Sequence, residues 1–300
     1  MRELCALVKR DTKLFFKDKG MFFTSLITPM ILLVLYASFL SSVYEDTFRS
    51  SLEAAGASVS DKLIGGCVGG ELASSLLAVC CVTVAFCSNM LMVQDKVSGA
   101  RRDLTISPVK SSALALGYYI STLISTLLVC YAATAVCLLY IRKVGWYLTV
   151  KDVMLLLLDV FLLVMFGTAL SSIINHFLTS QGQISAVGTI VSAGYGFLCG
   201  AYMPISQFSD GLQKVISFLP GTYGTSLLRN HALRGVFEEM SNQNFPSEVI
   251  EAIKDSVDCN LYFFGTQVSE SMMYMILVGT VLLLLVIYVL LNMLHGTKEK

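Results

Sequence analysis

Residues 95–112 read DKVSGARRDLTISPVKSS, a charged stretch of 18 residues between two of the longest apolar runs in the chain. Asp95, Lys96, Arg101, Arg102, Asp103 and Lys110 give it two acids and four bases, a net charge of +2. Short connections between membrane spans stay on the cytoplasmic side when Lys and Arg dominate them. Gly99 and Pro108 bracket a run free of helix breakers, 101–106, which predicts a short surface helix stopped by a turn. On charge alone such a loop serves equally well as a plain determinant of topology.

Working outward, the composition is that of a membrane protein. The chain is 55% hydrophobic and 14% charged, with a mean hydropathy of +0.71. That excludes a soluble globular protein. A helix needs roughly 20 apolar residues to cross a bilayer. Uncharged runs occupy 20–44, 72–94, 111–141, 160–209 and 271–296. The run 160–209 is long enough for two spans, and Asn175-His176 with Ser180-Gln181-Gly182-Gln183 supplies its polar break. The expected fold is therefore an all-α polytopic membrane protein with six spans, near 21–43, 64–92, 113–140, 153–175, 184–204 and 271–294.

The loops predict the orientation. The first 19 residues carry six bases against three acids, and the tail holds Lys298, Glu299 and Lys300. Both ends and the 95–112 loop are expected inside, the acidic loop after the first span and the segment 205–270 outside. Arg142, Lys143 and Lys151 run against this rule. Residues 1–19 lack the features of a signal peptide. Leu4, Leu7, Val8, Leu14 and Phe15 share one side of a helical wheel and the bases share the other, with Asp11 spoiling the apolar face. This predicts a basic amphipathic helix in the headgroup plane, or more simply a charged anchor.

Within the spans, Pro29 is tolerated if neighbours satisfy the carbonyl it frees. Gly65, Gly66, Gly69 and Gly70 form two interleaved Gly-x-x-x-Gly pairs suited to close helix contact. Ionisable groups at membrane depth are functional candidates, so Glu71 and Asp159 stand out. Glu71 lies near enough to the outer interface to reach headgroups, and Asp159 has Lys143, Lys151 or a residue across the bundle as expected partners. Gly188, Ser192, Gly196 and Gly200 recur every four residues, a ridge for packing inside the bundle or across a dimer. In 205–270, apolar stripes on either side of Pro220-Gly221 predict two short re-entrant half-helices, followed by a helix near 246–257.

Catalytic patterns are missing. Seven of nine cysteines fall in spans, no Cys-x-x-Cys occurs, and His176, His231 and His295 lie in separate segments, so no metal site is expected. There is no Gly-x-Ser-x-Gly and no Gly-Lys dipeptide, so a Walker A loop is excluded. A permease driven by a separate motor, an ion-coupled secondary carrier and a structural or intramembrane enzymatic protein remain in play.

Asp95, Gly99, Leu104 and Ser107-Pro108, after the second span, together with Leu219-Pro220 leading to Leu228-Arg229, make the chain resemble the permeases of ABC type 2 exporters. Asp95 stands where Glu is commoner, and the pair Arg101-Arg102 is a further departure. The resemblance implies one permease domain over 1–300, a homo- or heterodimer, and two separate nucleotide-binding subunits that hold ATP and Mg, with no cofactor in this chain and no nucleic-acid partner. It implies a coupling helix in 95–112, with Asp95, Gly99, Arg101, Arg102, Leu104, Ser107 and Pro108 facing the ATPase. It further implies a substrate path lined from spans one, two and five, for which Phe22, Phe23, Tyr36 and Tyr195 are candidates. The cargo expected across a bacterial plasma membrane is a lipophilic small molecule, drug, antibiotic or peptide. A lipid-linked polysaccharide or teichoic acid is the alternative.

Overall fold

The computed structural model describes residues 2–54, 60–106 and 111–296. Its first helix, α1 (Arg2–Lys17), is amphipathic and meets α2 (Lys19–Leu35) at an angle of 71°. Asp18 makes the corner: its carboxylate accepts the Met21 backbone N–H at 3.1 Å and caps α2. α2 runs on through a π-helical stretch, Tyr36–Leu40, into α3 (Ser41–Ala54). The helix thus outlasts its apolar run, and the extra residue per turn re-aims the side chains at the junction.

α4 (Asp61–Ser98) is the axis of the molecule, and α2, α6 (Ser111–Val144), α7 (Val150–Phe177), α8 (Gln181–Leu198) and α10 (Pro220–Asn242) pack around it. Its glycines make this possible. A Cβ at Gly70 would strike Leu233 of α10, and one at Gly65 would lie 2.6 Å from the Val144 carbonyl oxygen. Ser60 caps the start of α4, and Gly99, in the left-handed region at φ 84°, ends it and releases α5 (Ala100–Ile106). Capping boxes at Thr149/Asp152 and Ser180/Gln183 start α7 and α8, so the polar break inside the long apolar run falls where expected.

Among the described residues four helices are long and apolar enough to cross a membrane: α4, α6, α7 and α12 (Glu270–Gly296). The bent pair α1–α2 raises the number to five if it counts as one span. α8 is 18 residues long and ends at Leu198, short of the expected 204, because Gly200 at φ 73° turns the chain. A multi-pass, almost wholly helical membrane protein results.

The segment after α8 differs more from expectation. A 3₁₀ turn (Ile205–Gln207) and the seven-residue α9 (Asp210–Ile216) precede Pro220, which occupies the first turn of α10. α10 is no short half-helix: it has 23 residues and most of them are buried. α11 (Ser247–Ser256) follows. Then comes a hairpin that the all-α expectation omitted, β1 (Leu261–Phe263) against β2 (Thr266–Val268), with Phe263 opposite Thr266. Phe264 and Gly265 both have positive φ, at 49° and 84°, the geometry of a tight hairpin turn.

Candidate functional site

Three places carry the polar chemistry: the α5 end of the bundle, the opposite end around α10, and a groove along α2 between them.

At the α5 end, Asp95 points inward, although it stood among the residues expected to face a partner. It is buried, and Arg10 of α1 grips it with two bonds of 2.8 and 3.0 Å while the Tyr118 hydroxyl donates a third at 2.7 Å. Arg10 also bonds Asp11 at 2.8 Å, which explains why that acid is tolerated on the buried face of α1. Asp95 therefore ties α1, α4 and α6 together. Leu104 is likewise half-buried, packed on a cluster with Leu7, Met92, Leu114 and Tyr288. Arg101 is half-buried, Arg102 and Asp103 are exposed, and Ile106 is 76% exposed at the end of α5. Ser107 and Pro108 lie outside the described residues. Lys96 turns to the end of α7, where its ammonium donates to the carbonyls of Asn175, His176 and Leu178 at 2.9, 2.6 and 3.2 Å. A cation there meets the negative end of the helix dipole.

At the opposite end Glu71 is fully buried and cannot reach the headgroups. Its carboxylate meets the Arg229 guanidinium at 2.9 Å, and Arg229, itself buried, also bonds Asp258 at 3.1 Å, Ser75 Oγ at 3.1 Å and the Gly200 carbonyl at 2.6 Å. One side chain thereby ties α10 to α4, to the turn after α8 and to the loop before β1. Burial pushes the Asp258 carboxyl up, and Arg229 and the Ile205 backbone N–H pull it back. Asp159 does not pair with Lys143 or Lys151. It accepts from the Tyr274 hydroxyl of α12 at 2.5 Å and pairs with His231 Nδ1 of α10 at the same distance. Glu270 lies 3.9 Å from His231 Nε2 and 3.4 Å from Arg234, which reaches Asp152 at 3.2 Å. Both intramembrane acids are thus taken up in fastening α10. Arg229 was visible in sequence as the base that follows Leu228 in an apolar stripe. Asp258, His231 and Tyr274 gave no comparable signal.

The groove runs between α2 and α8 with Cys87, Met90 and Gln94 of α4 as its floor, and it encloses about 1020 Å³. Thr24, Thr28, Ser185, Thr189 and Ser192 alternate along it with Ile27, Ile31, Leu32 and Ile184. Tyr36 and Tyr202 close one end, their hydroxyls donating to the carbonyls of Ala201 at 3.3 Å and Ser192 at 3.2 Å. Of the expected path residues only Tyr36 lines it. Phe22 faces a separate groove on the far side of α2, Phe23 is 62% exposed on the bundle surface, and Tyr195 is half-buried with its hydroxyl against Gly221. The glycine ridge divides in the same way. Gly188 and Ser192 line the groove, the Tyr202 ring covers Gly196, and Gly200 belongs to the turn beyond the helix. Among the described residues no three His, Cys, Asp or Glu side chains converge as metal ligands.

No curated protein matches the chain. The family model of the ABC-2 type transporter matches residues 2–232, from the start of α1 to the middle of α10. That is more than three quarters of the sequence, and it takes in α5, both walls of the groove and the Arg229 cluster apart from Asp258. The chain belongs to the ABC-2 type transporter family, as a multi-pass permease component and not an ATPase.

Proposed function

We propose that this permease works in an ATP-driven exporter, as one of two permeases that share separate ATP- and Mg-binding subunits. Six spans are assigned to α2, α4, α6, α7, α8 and α12, with both termini and α5 in the cytoplasm. α1 lies along the cytoplasmic surface. α5 is the contact to the motor, and its outward residues Arg102, Asp103 and Ile106 do the docking, while Asp95 and Leu104 hold the helix on the bundle.

The observation that carries the cargo assignment is the groove between α2 and α8. It is walled on two sides and floored on a third, so a second copy set against α2 and α8 completes a passage. Its lining mixes hydroxyls and amides with branched aliphatics and has a single charged residue, Asp18. Such a wall suits a lipophilic compound or peptide carrying scattered hydrogen-bonding groups. A polyanionic lipid-linked polymer calls for bases that this lining lacks. Motion of α5 by the motor reaches the groove through α4, which ends at α5 and forms the groove floor, a two-state element biased from one end.

The test is purification of the full chain from its native membrane in mild detergent. A soluble ATPase with a Walker A loop is expected to accompany it, and amphipathic drugs or peptides are expected to stimulate hydrolysis in proteoliposomes. Thr189→Trp, which fills the groove, should abolish that stimulation and leave basal hydrolysis intact. Transport by the chain alone, driven by a proton gradient without ATP, would overturn the assignment.

A further inference from the structure

α2 separates two grooves of opposite character. The second, between α2 and α6, encloses about 370 Å³. Phe22, Leu26 and Pro29 of α2 form one wall, Val129 and Ala133 of α6 the other, and Leu76 and Cys80 of α4 the floor. Every side chain along it is apolar apart from the Cys80 thiol, which has Cys130 Sγ 3.9 Å away as its partner. Water has nothing to bond there, and an empty space of this size forfeits contact energy along its whole length.

One end of this groove is not apolar. Phe16 of α1 closes it, and α1 lies across that end at 71° to α2. Leu7 and Phe15, on the opposite side of α1, are buried in the bundle, so the remaining face looks outward. Lys9, Lys13 and Lys17 are exposed there, Lys13 one turn before Phe16, and Lys19 follows at the corner. Asp18, the exposed acid between Lys17 and Lys19, has its carboxylate engaged in capping α2. A slot of hydrocarbon character thus opens at a cationic shelf that the 71° bend sets across its end.

We propose that this groove is a binding site for one anionic phospholipid, in the leaflet on which α1 lies. One acyl chain fills the slot between α2 and α6, and the phosphate headgroup is held by Lys13 and Lys17. The site lies on the opposite side of α2 from the proposed cargo groove and does not depend on what is transported. It gives α1 a lipid-borne hold on the bundle beside its protein contacts through Arg10 and Phe15.

Native mass spectrometry of the full chain in mild detergent reads this directly. The probes are phosphatidylglycerol and phosphatidylcholine with identical palmitoyl and oleoyl chains. Two lysines at an anionic surface are worth about a thirtyfold change in affinity. One phosphatidylglycerol should therefore be retained about thirtyfold more strongly than phosphatidylcholine. Lys13→Glu combined with Lys17→Glu should erase that preference. Ala132→Trp, on the exposed flank of the groove, should displace both lipids, and the milder Ala133→Leu should weaken both with unchanged thermal stability. Equal retention of the two lipids by the wild type would overturn the proposal. So would undiminished retention in both groove-filling variants, or a wild-type dimer that these variants dissociate while lipid binding stays the same.

Discussion

The two ends of the bundle are fastened by the same chemistry in different surroundings. At the α5 end an arginine from α1 reaches an aspartate on α4. At the α10 end an arginine reaches a glutamate on α4 and an aspartate before β1. The Arg10 side chain is 33% exposed and its charge stays partly hydrated, while Arg229 is 1% exposed and has given up its water entirely. A charge taken out of water becomes a liability once its partner goes, whereas a half-exposed one is rescued by solvent. The second clamp therefore makes a rigid structural joint and the first an adjustable one. The adjustable one lies beside the helix proposed to receive the motor.

Arg229→Ala puts the greatest strain on this contrast. It leaves Glu71 and Asp258 buried without a cation and should cost about 3–5 kcal/mol. A thiol-reactive dye is a suitable probe of unfolding, since eight of the nine free cysteines are buried. The variant should melt well below the wild type. Adding Glu71→Gln should restore part of the loss by removing one stranded charge, a coupling that a double-mutant cycle measures. If Arg229→Ala melts no lower than Arg10→Ala, burial does not set the difference between the two ends.

Asp159→Ala should rank next. It deprives both His231 and the Tyr274 hydroxyl of their acceptor, at a cost of about 2–3 kcal/mol. Asp159→Asn, which still accepts from Tyr274, should lose less and keep ATP-driven transport. Transport that collapses in this variant while its melting temperature holds would make Asp159 part of an ion path. Arg10→Ala should cost about 1–2 kcal/mol, because water reaches the vacated side of Asp95. Its signature is local. Protease access should rise at α1 with little change around α10.

The same contrast marks what the sequence could and could not disclose. The positions of the long apolar helices followed from the lengths of uncharged runs, and the break before α5 from Gly99, because both are local properties. The direction of Asp95 was hidden, since its partner Arg10 lies 85 residues away and no local pattern links the two. α10 looked like a short half-helix because Arg229, Asn230 and His231 interrupt its apolar stripe. Each of the three has a partner that only the tertiary fold supplies: Ser75 and Asp258 for Arg229, the Cys259 carbonyl for Asn230 and Asp159 for His231. The hairpin escaped notice because its strands are three residues each and its turn is Phe264-Gly265, without the Asn-Gly or Asp-Gly signal. Aromatic residues misled in another way. Phe22, Phe23 and Tyr195 sit in uncharged spans, where an aromatic ring is as much at home in packing or facing outward as in lining a cavity.

Leu104 and Ile106 bring the comparison down to a single helix. Both are aliphatic and both belong to α5, yet Leu104 packs on the Leu7–Tyr288 cluster while Ile106 is 76% exposed. Leu104→Asp buries an acid among apolar side chains, so it should lower the melting temperature and impair coupling together. Ile106→Asp removes almost no buried surface, and the melting temperature should stay within a degree or two. An exposed aliphatic side chain at the tip of a surface helix is well placed as an anchor for a partner pocket, and its hydrophobic gain is realised only on docking. Ile106→Asp should therefore weaken recovery of the ATPase subunit, and with it stimulated hydrolysis, by about tenfold or more, while Ile106→Leu should behave as the wild type. Normal recovery of the ATPase with Ile106→Asp would move the docking surface to Arg102 and Asp103, where salt dependence of assembly would be the next quantity to measure.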